Sequence, residues 1–267
     1  MLTIREYRKV ESLDEAFELN KKKMNRIIGG MLWLKMQKGN VGTAIDLSGL
    51  GLDKIEETDT EFIIGAMVSL RALEMSGSLN IYTQNSMREA LRHIVGVQFR
   101  NLATVGGSIF GRYGFSDVLT IFLALNAQVE LHHAGKIPLS EFAKMPYDND
   151  ILVRIIVPKQ KALQAVYLSH RMSKTDFPVI TLALAKTDEM YTLAIGATPH
   201  RATIIEDSEN ILAGELTTAK IQNFAQFVQD TVRTDSNLRG SAQYRKHLAG
   251  VFVRRALTTI LERSNNA

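Results

Sequence analysis

The sequence of 267 residues contains no cysteine. Disulfides, thiolate nucleophiles and cysteine-ligated zinc or iron–sulfur clusters are therefore excluded for this chain. The six histidines show no spacing typical of a metal motif. The adjacent pair His132 and His133 lies in a strand-like run, which points the two side chains to opposite faces. We expect no metal site.

Long apolar runs and a strong excess of one charge are also absent. No apolar run approaches the roughly 18 residues of a membrane span, and the polar start lacks the apolar region of a secretory signal. We therefore expect no membrane span and a cytoplasmic location. The net charge of +4 is mild and mixed in sign. Basic residues gather near the C-terminus without a recognised nucleic-acid motif, so we expect no nucleic-acid partner.

The first half of the chain alternates strand and helix patterns. Ser12 and Glu15 form a capping box before a helix, and residues 25–28 predict a short strand. After Gly29-Gly30, residues 31–36 predict a helix and residues 44–47 a second strand, which together make a βαβ unit. Residues 62–66 predict another strand, Ser86 and Glu89 a second capping box, and residues 99–109 a second glycine-rich loop. Ser116-Asp117 opens a further helix.

The second half has a different pattern. Residues 158–161 are charged, follow a predicted strand, and are typical of a linker. Beyond them, residues 165–169, 179–186 and 190–197 predict antiparallel strands, and two helices complete the chain. An antiparallel sheet with helices, after mixed strands and helices, indicates an α+β fold.

Two glycine pairs, Gly29-Gly30 and Gly106-Gly107, are the most informative features. Each follows a β-like run, where glycine allows a positive φ and a close approach of the backbone to a ligand. The first pair also opens a predicted helix, whose N-terminal N–H groups favour phosphate. Two such loops could clamp a pyrophosphate, but a lone Gly-Gly is weak evidence, and by itself the pattern favours tight turns without a ligand. Neither GxGxxG nor GxxxxGK[ST] occurs, so a Rossmann fold and a P-loop are not indicated.

These segments together resemble the FAD-binding subunits of the xanthine dehydrogenase and carbon monoxide dehydrogenase family. The family's first flavin loop reads Ala-Gly-Gly-Thr, and residues 28–31 here read Ile-Gly-Gly-Met. Its second loop, Arg-Asn-x-x-Thr-Val-Gly-Gly-Asn, is matched nearly throughout by residues 100–108. Residues 238–245 and 253–257 match the last helices, so the resemblance covers nearly the whole chain.

The resemblance implies a two-subdomain FAD-binding domain of the vanillyl-alcohol-oxidase type over residues 1–158, with subdomains of about 1–55 and 56–158. A C-terminal domain like that of the carbon monoxide dehydrogenase flavoprotein would follow over residues 162–267. In the family the two loops bind the FAD diphosphate. The cofactor-binding residues implied here are Ile28, Gly29, Gly30, Met31, Leu32, Thr104, Gly106, Gly107, Ser108, Asp117 and Leu152.

Asp117 would face the adenosine ribose and Leu152 the isoalloxazine ring. Asp117 could equally be an acid favoured by the first turn of its helix, and Leu152 ordinary core. Two departures each remove or shorten a side-chain hydrogen bond, worth about 1 kcal/mol: Met31 replaces a hydroxyl residue and Ser108 replaces asparagine. Leu168 stands where some members have a lysine near the flavin.

The resemblance further implies an FAD-dependent oxidoreductase subunit. It would take electrons from [2Fe–2S] clusters on a small partner subunit, beside a molybdopterin-binding large subunit, and deliver them through FAD to NAD or another acceptor. The protein supplies position and electrostatics to the flavin, so we expect no acid–base catalytic residue. Two alternatives remain: a free-standing flavoprotein of the same fold, and a non-enzymatic nucleic-acid or partner-binding protein.

Overall fold

The computed structural model describes residues 1–188 and 190–265. They form two compact units, each built from several segments of the chain. Unit 1 consists of Met1–Leu73, Val95–Gly111 and Ala127–Lys159, and unit 2 of Glu74–Ile94, Arg112–Asn126 and the chain from Gln160 onward. The linear division into residues 1–158 and 162–267 stays a prediction.

A three-stranded parallel sheet begins unit 1. Its strand order is β1 (Leu2–Lys9), β3 (Gly39–Asp46) and β2 (Arg26–Ile28). Helix α1 (Leu13–Asn20) packs against it and starts as predicted, with the Ser12 hydroxyl accepting the Glu15 N–H at 3.1 Å. The return bond of the capping box differs from the expectation, because the Glu15 carboxylate accepts the N–H of Glu11 at 2.8 Å.

The second sheet of unit 1 is antiparallel and has five strands. Its order is β4 (Ile55–Glu57), β5 (Glu61–Gly65), β8 (Leu152–Pro158), β6 (Gln128–Leu131) and β7 (Gly135–Pro138). The central strand β8 is apolar and largely buried because it has neighbours on both sides. The helices near this sheet are short: α2 (Leu70–Glu74), α5 (Val97–Leu102), α6 (Val105–Gly111) and α8 (Leu139–Phe142).

Two predictions about the glycine pairs were wrong. Residues 31–36 do not form an α-helix, since only a single 3-10 turn, Leu34–Met36, separates the first pair from β3. Ten residues between β2 and β3 leave little length for a helix, and Met31 has a left-handed φ of 57°. The run before the second pair is helix α5 rather than a strand, and the second pair lies inside α6.

Unit 2 is built on a four-stranded antiparallel sheet. Its order is β12 (Thr203–Ile205), β11 (Tyr191–Gly196), β10 (Pro178–Lys186) and β9 (Gln164–Arg171). Helices α9 (Thr218–Thr231) and α10 (Ala242–Asn265) share a core with the alternate residues Ile180, Leu182 and Leu184 of β10. Helix α7 (Asp117–Ala124) packs on β10 and β11, and the Thr120 and Thr181 hydroxyls bond at 3.0 Å. β10 is therefore buried along almost its whole length.

The remaining helices of unit 2 are α3 (Gly77–Tyr82) and α4 (Ser86–Leu91). The second capping box was wrong: Asn85 is the N-cap of α4, and the Ser86 hydroxyl donates to the Ala165 carbonyl oxygen at 2.7 Å. The predicted start of α7 is confirmed, with the Ser116 hydroxyl accepting the Leu119 N–H. The α+β class and the C-terminal antiparallel sheet are also confirmed. Among the described residues, no helix is both long and apolar enough to cross a membrane.

Candidate functional site

The first glycine turn leaves β2 and offers a strip of backbone donors. Ile28 is the last residue of β2 and pairs with Asp46 of β3. Beyond it, the N–H groups of residues 29–32 have no hydrogen-bond acceptor among the described residues. Gly29 is exposed, and residues 30–32 are half-buried. Consecutive unpaired N–H groups that solvent can reach are suited to bind an anion.

The second glycine turn is different, because its N–H groups already have acceptors in unit 1. The Gly107 N–H donates to the Thr104 hydroxyl oxygen at 3.1 Å, and the Ser108 N–H donates to the Thr104 carbonyl oxygen at 3.1 Å. The N–H groups of Val105 and Gly106 donate to backbone carbonyls at 2.8 Å. The Ser108 hydroxyl also donates to the Thr104 carbonyl oxygen. These N–H groups therefore have acceptors within the protein, and binding of the FAD diphosphate by the second turn stays a prediction.

The two turns pack directly against each other. A Cβ added to Gly30 would lie 1.9 Å from the Leu102 carbonyl oxygen, and one added to Gly29 would lie 2.6 Å from the Thr104 hydroxyl oxygen. Gly106 is equally tight, since its Cβ would lie 2.6 Å from the Ala66 carbonyl oxygen. Gly30 and Gly106 are therefore required by backbone packing, and Gly29 by the Thr104 side chain. Gly107 differs: it is exposed, and its Cβ would meet only the Thr104 hydroxyl, at 3.0 Å.

The structure thus brings nine of the eleven expected residues into one region: residues 28–32, Thr104 and residues 106–108. Leu152 belongs to the same unit, where it is 5% exposed on β8 and pairs with Leu131 of β6. Helix α6 packs against β8. Since a Cβ at Gly107 would project into mostly open space while the first turn presents bare N–H groups, the pair fits a phosphate-bearing cofactor chemically.

Asp117 lies in unit 2, at the first position of α7, and has strong protein partners. The Arg171 guanidinium forms a buried ion pair with its carboxylate, and the Tyr167 hydroxyl donates to it at 2.5 Å. Arg171 and Tyr167 were not found from the sequence, because they are far from Asp117 along the chain and no motif joins them. The helix dipole adds a smaller favourable field at this position.

Burial has the largest effect on the pKa values of Asp117 and Tyr167. It raises the pKa of the Asp117 carboxyl above its ordinary value, and the Arg171 guanidinium and the Tyr167 hydroxyl oppose that rise. The same burial, with the Asp117 charge, raises the pKa of Tyr167 well above its usual range. Tyr167 therefore stays protonated and acts as a hydrogen-bond donor, which fixes the orientation of Asp117.

Comparison with known proteins agrees with this geometry. Residues 3–160 match the family of the FAD binding domain in molybdopterin dehydrogenase, and residues 167–260 match the CO dehydrogenase flavoprotein C-terminal domain. The fold and the paired turns define an FAD-binding oxidoreductase subunit. The chain belongs to the molybdopterin dehydrogenase FAD-binding family, as a medium subunit of the carbon monoxide dehydrogenase and xanthine dehydrogenase type.

Individual relatives cover nearly the whole chain. The glyceraldehyde dehydrogenase medium chain of Sulfolobus acidocaldarius is 26% identical, covering 95% of this chain and 97% of the relative. The nicotine 6-hydroxylase medium subunit of Paenarthrobacter nicotinovorans is 24% identical, covering 84% of each. Carbon monoxide dehydrogenase of Hydrogenophaga pseudoflava shares the fold, with a TM-score of 0.86 at 24% identity, covering 95% of this chain and 96% of that one.

Proposed function

We propose that this chain holds FAD within a multi-subunit molybdenum hydroxylase. In that role it takes electrons from [2Fe–2S] clusters on a small partner subunit, beside a molybdopterin-binding large subunit, and passes them to NAD or another acceptor. Its relatives are named medium chains or medium subunits, which supports a place in a larger assembly. The chain has no cysteine to bind a cluster by thiolate, so the clusters require another chain. The cytoplasmic location stays a prediction.

The cofactor assignment depends on the first turn, where the N–H groups of residues 29–32 have no acceptor among the described residues. We assign the FAD diphosphate to the N–H groups of residues 29–32, where charge-assisted hydrogen bonds to backbone donors stabilise an anion. Gly107 admits the cofactor because it has no side chain, and the Thr104 hydroxyl accepts the Gly107 N–H and lies against Gly29. Met31 contributes its N–H rather than a side-chain hydroxyl.

Asp117 and Leu152 have supporting roles in this proposal. Asp117, oriented by Arg171 and Tyr167, is an acceptor for ribose hydroxyl groups. Leu152 presents an apolar side chain to the isoalloxazine ring. When bound, FAD supplies redox chemistry that accepts single electrons and releases a pair. The residues of this chain bind and orient it, and none is assigned an acid–base step.

The cofactor site is tested by reconstitution with FAD and an absorption spectrum. Gly107→Val adds a side chain on the exposed face of the second turn, where the new Cβ meets only the Thr104 hydroxyl oxygen, at 3.0 Å. Gly77→Val in α3 is the matched control, since nothing lies within 4 Å of a Cβ there. We expect flavin bands in the wild type and the control, loss of the bands in Gly107→Val, and similar melting temperatures for all three. Equal flavin content in both variants would contradict the assignment.

The role in a complex is tested by tagging the chain in its own cells. We expect it to be recovered with two further subunits that carry molybdenum and iron, measured by elemental analysis, and with substrate-dependent reduction of its flavin. Recovery as an FAD protein without partners, able to reduce an acceptor alone, would favour the free-standing flavoprotein instead.

A further inference from the structure

Unit 2 contains a cleft of about 340 Å³ beside the segment in which β9 ends. The lining is rich in N–H and O–H donors and includes no carboxylate. Apart from Met172, the lining residues are His93, Ser169, His170, Arg171, Ser173 and Lys174. A cleft with several donors and no acid is suited to an anionic ligand.

The carboxylates around this lining each lie close to an arginine. The Arg171 guanidinium pairs with Asp117. Arg239 lies 3.4 Å from Asp176, and Arg92 lies 3.1 Å from Glu89. Among the described residues, Lys174 forms no ion pair, and its side chain is exposed. The cleft therefore has a positive charge that no acid of its surroundings neutralises.

Two N–H groups in the walls of the cleft lack an acceptor. The Nε2 atom of His93 accepts a hydrogen bond from Arg92 at 3.0 Å, so the ring hydrogen is on Nδ1 when the ring is neutral. That Nδ1 atom and the Nε atom of Arg171 are both buried and have no partner among the described residues. The Arg171 side chain is only 6% exposed. Buried donors are satisfied in the great majority of cases, so this pair indicates a missing acceptor.

We propose that the cleft binds a phosphate group. Lys174 and Ser173 are exposed and make the first contacts, while Ser169 and the N–H groups of His93 and Arg171 complete the donor set after rotation of side chains in the wall. Donors of this number, spread around one cleft, suit a tetrahedral oxyanion better than a carboxylate with two oxygens. No residue of the glycine turns takes part, so the proposal is independent of the diphosphate assignment. Arg171, which also orients Asp117, is left unchanged in the test.

The test is a calorimetric titration of inorganic phosphate into the FAD-loaded protein at constant ionic strength. Lys174→Ala should weaken binding about tenfold, because one charge-assisted contact is lost. The matched control is Lys161→Ala, which removes another exposed lysine of unit 2 outside the cleft and should change binding by less than about twofold. His93→Gln should also weaken binding. The wild type and all three variants should show the same flavin absorbance. A change in phosphate binding is then not caused by loss of FAD.

Two results would overturn the proposal: no saturable binding of phosphate at millimolar concentration, or equal weakening by Lys174→Ala and Lys161→Ala. The source of the phosphate group is distinguished by repeating the titration with ADP and with adenosine. Binding of ADP at least about tenfold tighter than inorganic phosphate, with no binding of adenosine, would identify a nucleotide ligand. Equal affinities for ADP and inorganic phosphate would identify free phosphate.

Discussion

Gly30→Ala should separate the two glycine turns. The added Cβ would lie 1.9 Å from the Leu102 carbonyl oxygen, whereas a comfortable carbon–oxygen contact needs more than 3 Å, on the order of atomic contact distances. Both atoms belong to backbone or are bonded directly to it, so no side-chain rotation relieves the overlap. The turns must move apart by about 1 Å, which costs about 1–3 kcal/mol in a packed region.

Two assays follow this change. Thermal unfolding should shift downward by roughly 2–4 °C for each kcal/mol lost, as expected for a protein of this size. Flavin fluorescence, titrated with the protein, should show FAD binding weakened by at least about tenfold, because displacement of the first turn misaligns its N–H groups. Gly77→Ala, where a Cβ meets nothing within 4 Å, should leave both measurements unchanged. A Gly30→Ala protein that melts and binds FAD like the wild type would refute the packing argument.

Three further substitutions probe other parts of the molecule. Asp117→Asn leaves the buried Arg171 guanidinium without a charged partner and should cost about 3–5 kcal/mol in urea unfolding, while a loss below about 1 kcal/mol would show that the pair contributes little. The pKa of Glu15 lies below its ordinary value, mainly because its carboxylate accepts the Glu11 N–H and then because it pairs with Arg8. The contribution of Glu15 to stability is therefore fully present above the unfolded pKa of 4.5 and is lost as the pH falls through the lower folded pKa. Glu15→Gln should therefore reduce the loss of urea resistance between about pH 5 and 3, and an unchanged pH profile would contradict this. Arg245 donates to four oxygens from a buried position, so Arg245→Lys, which cannot reproduce the planar fork, should lower the melting temperature although the charge is kept.

Much of the fold could be predicted from local pattern. The apolar pattern located six strands, β2, β3, β5, β9, β10 and β11. The Ser12 and Ser116 caps located two helix starts, because these signals act within a few residues. Ser86 does not cap α4, since its hydroxyl donates to a carbonyl oxygen on a distant strand. Tertiary contacts of this kind override a local capping motif.

The structure brings most of the predicted site residues together, but it gives the two glycine turns different structures from those expected. Glycine pairs can be read from the sequence, but the reason for each glycine cannot. Gly30 and Gly106 lack side chains because backbone from distant segments lies against them, and only the folded chain reveals such contacts. No α-helix follows Gly29-Gly30, although one was expected. Helix α6 instead contains Gly106-Gly107, and the N–H groups there donate to acceptors within the protein. The N–H groups without an acceptor therefore belong to the first turn, residues 29–32, which no α-helix follows.

The most direct test of this assignment is amide hydrogen exchange with and without FAD. In the free protein, the N–H groups of residues 29–32 should exchange rapidly, because no protein acceptor holds them, and those of residues 105–108 should already be slow. FAD should slow exchange strongly in residues 29–32 and change residues 105–108 little. Protection that leaves residues 29–32 unchanged would contradict the account, since the diphosphate would then be held by other groups.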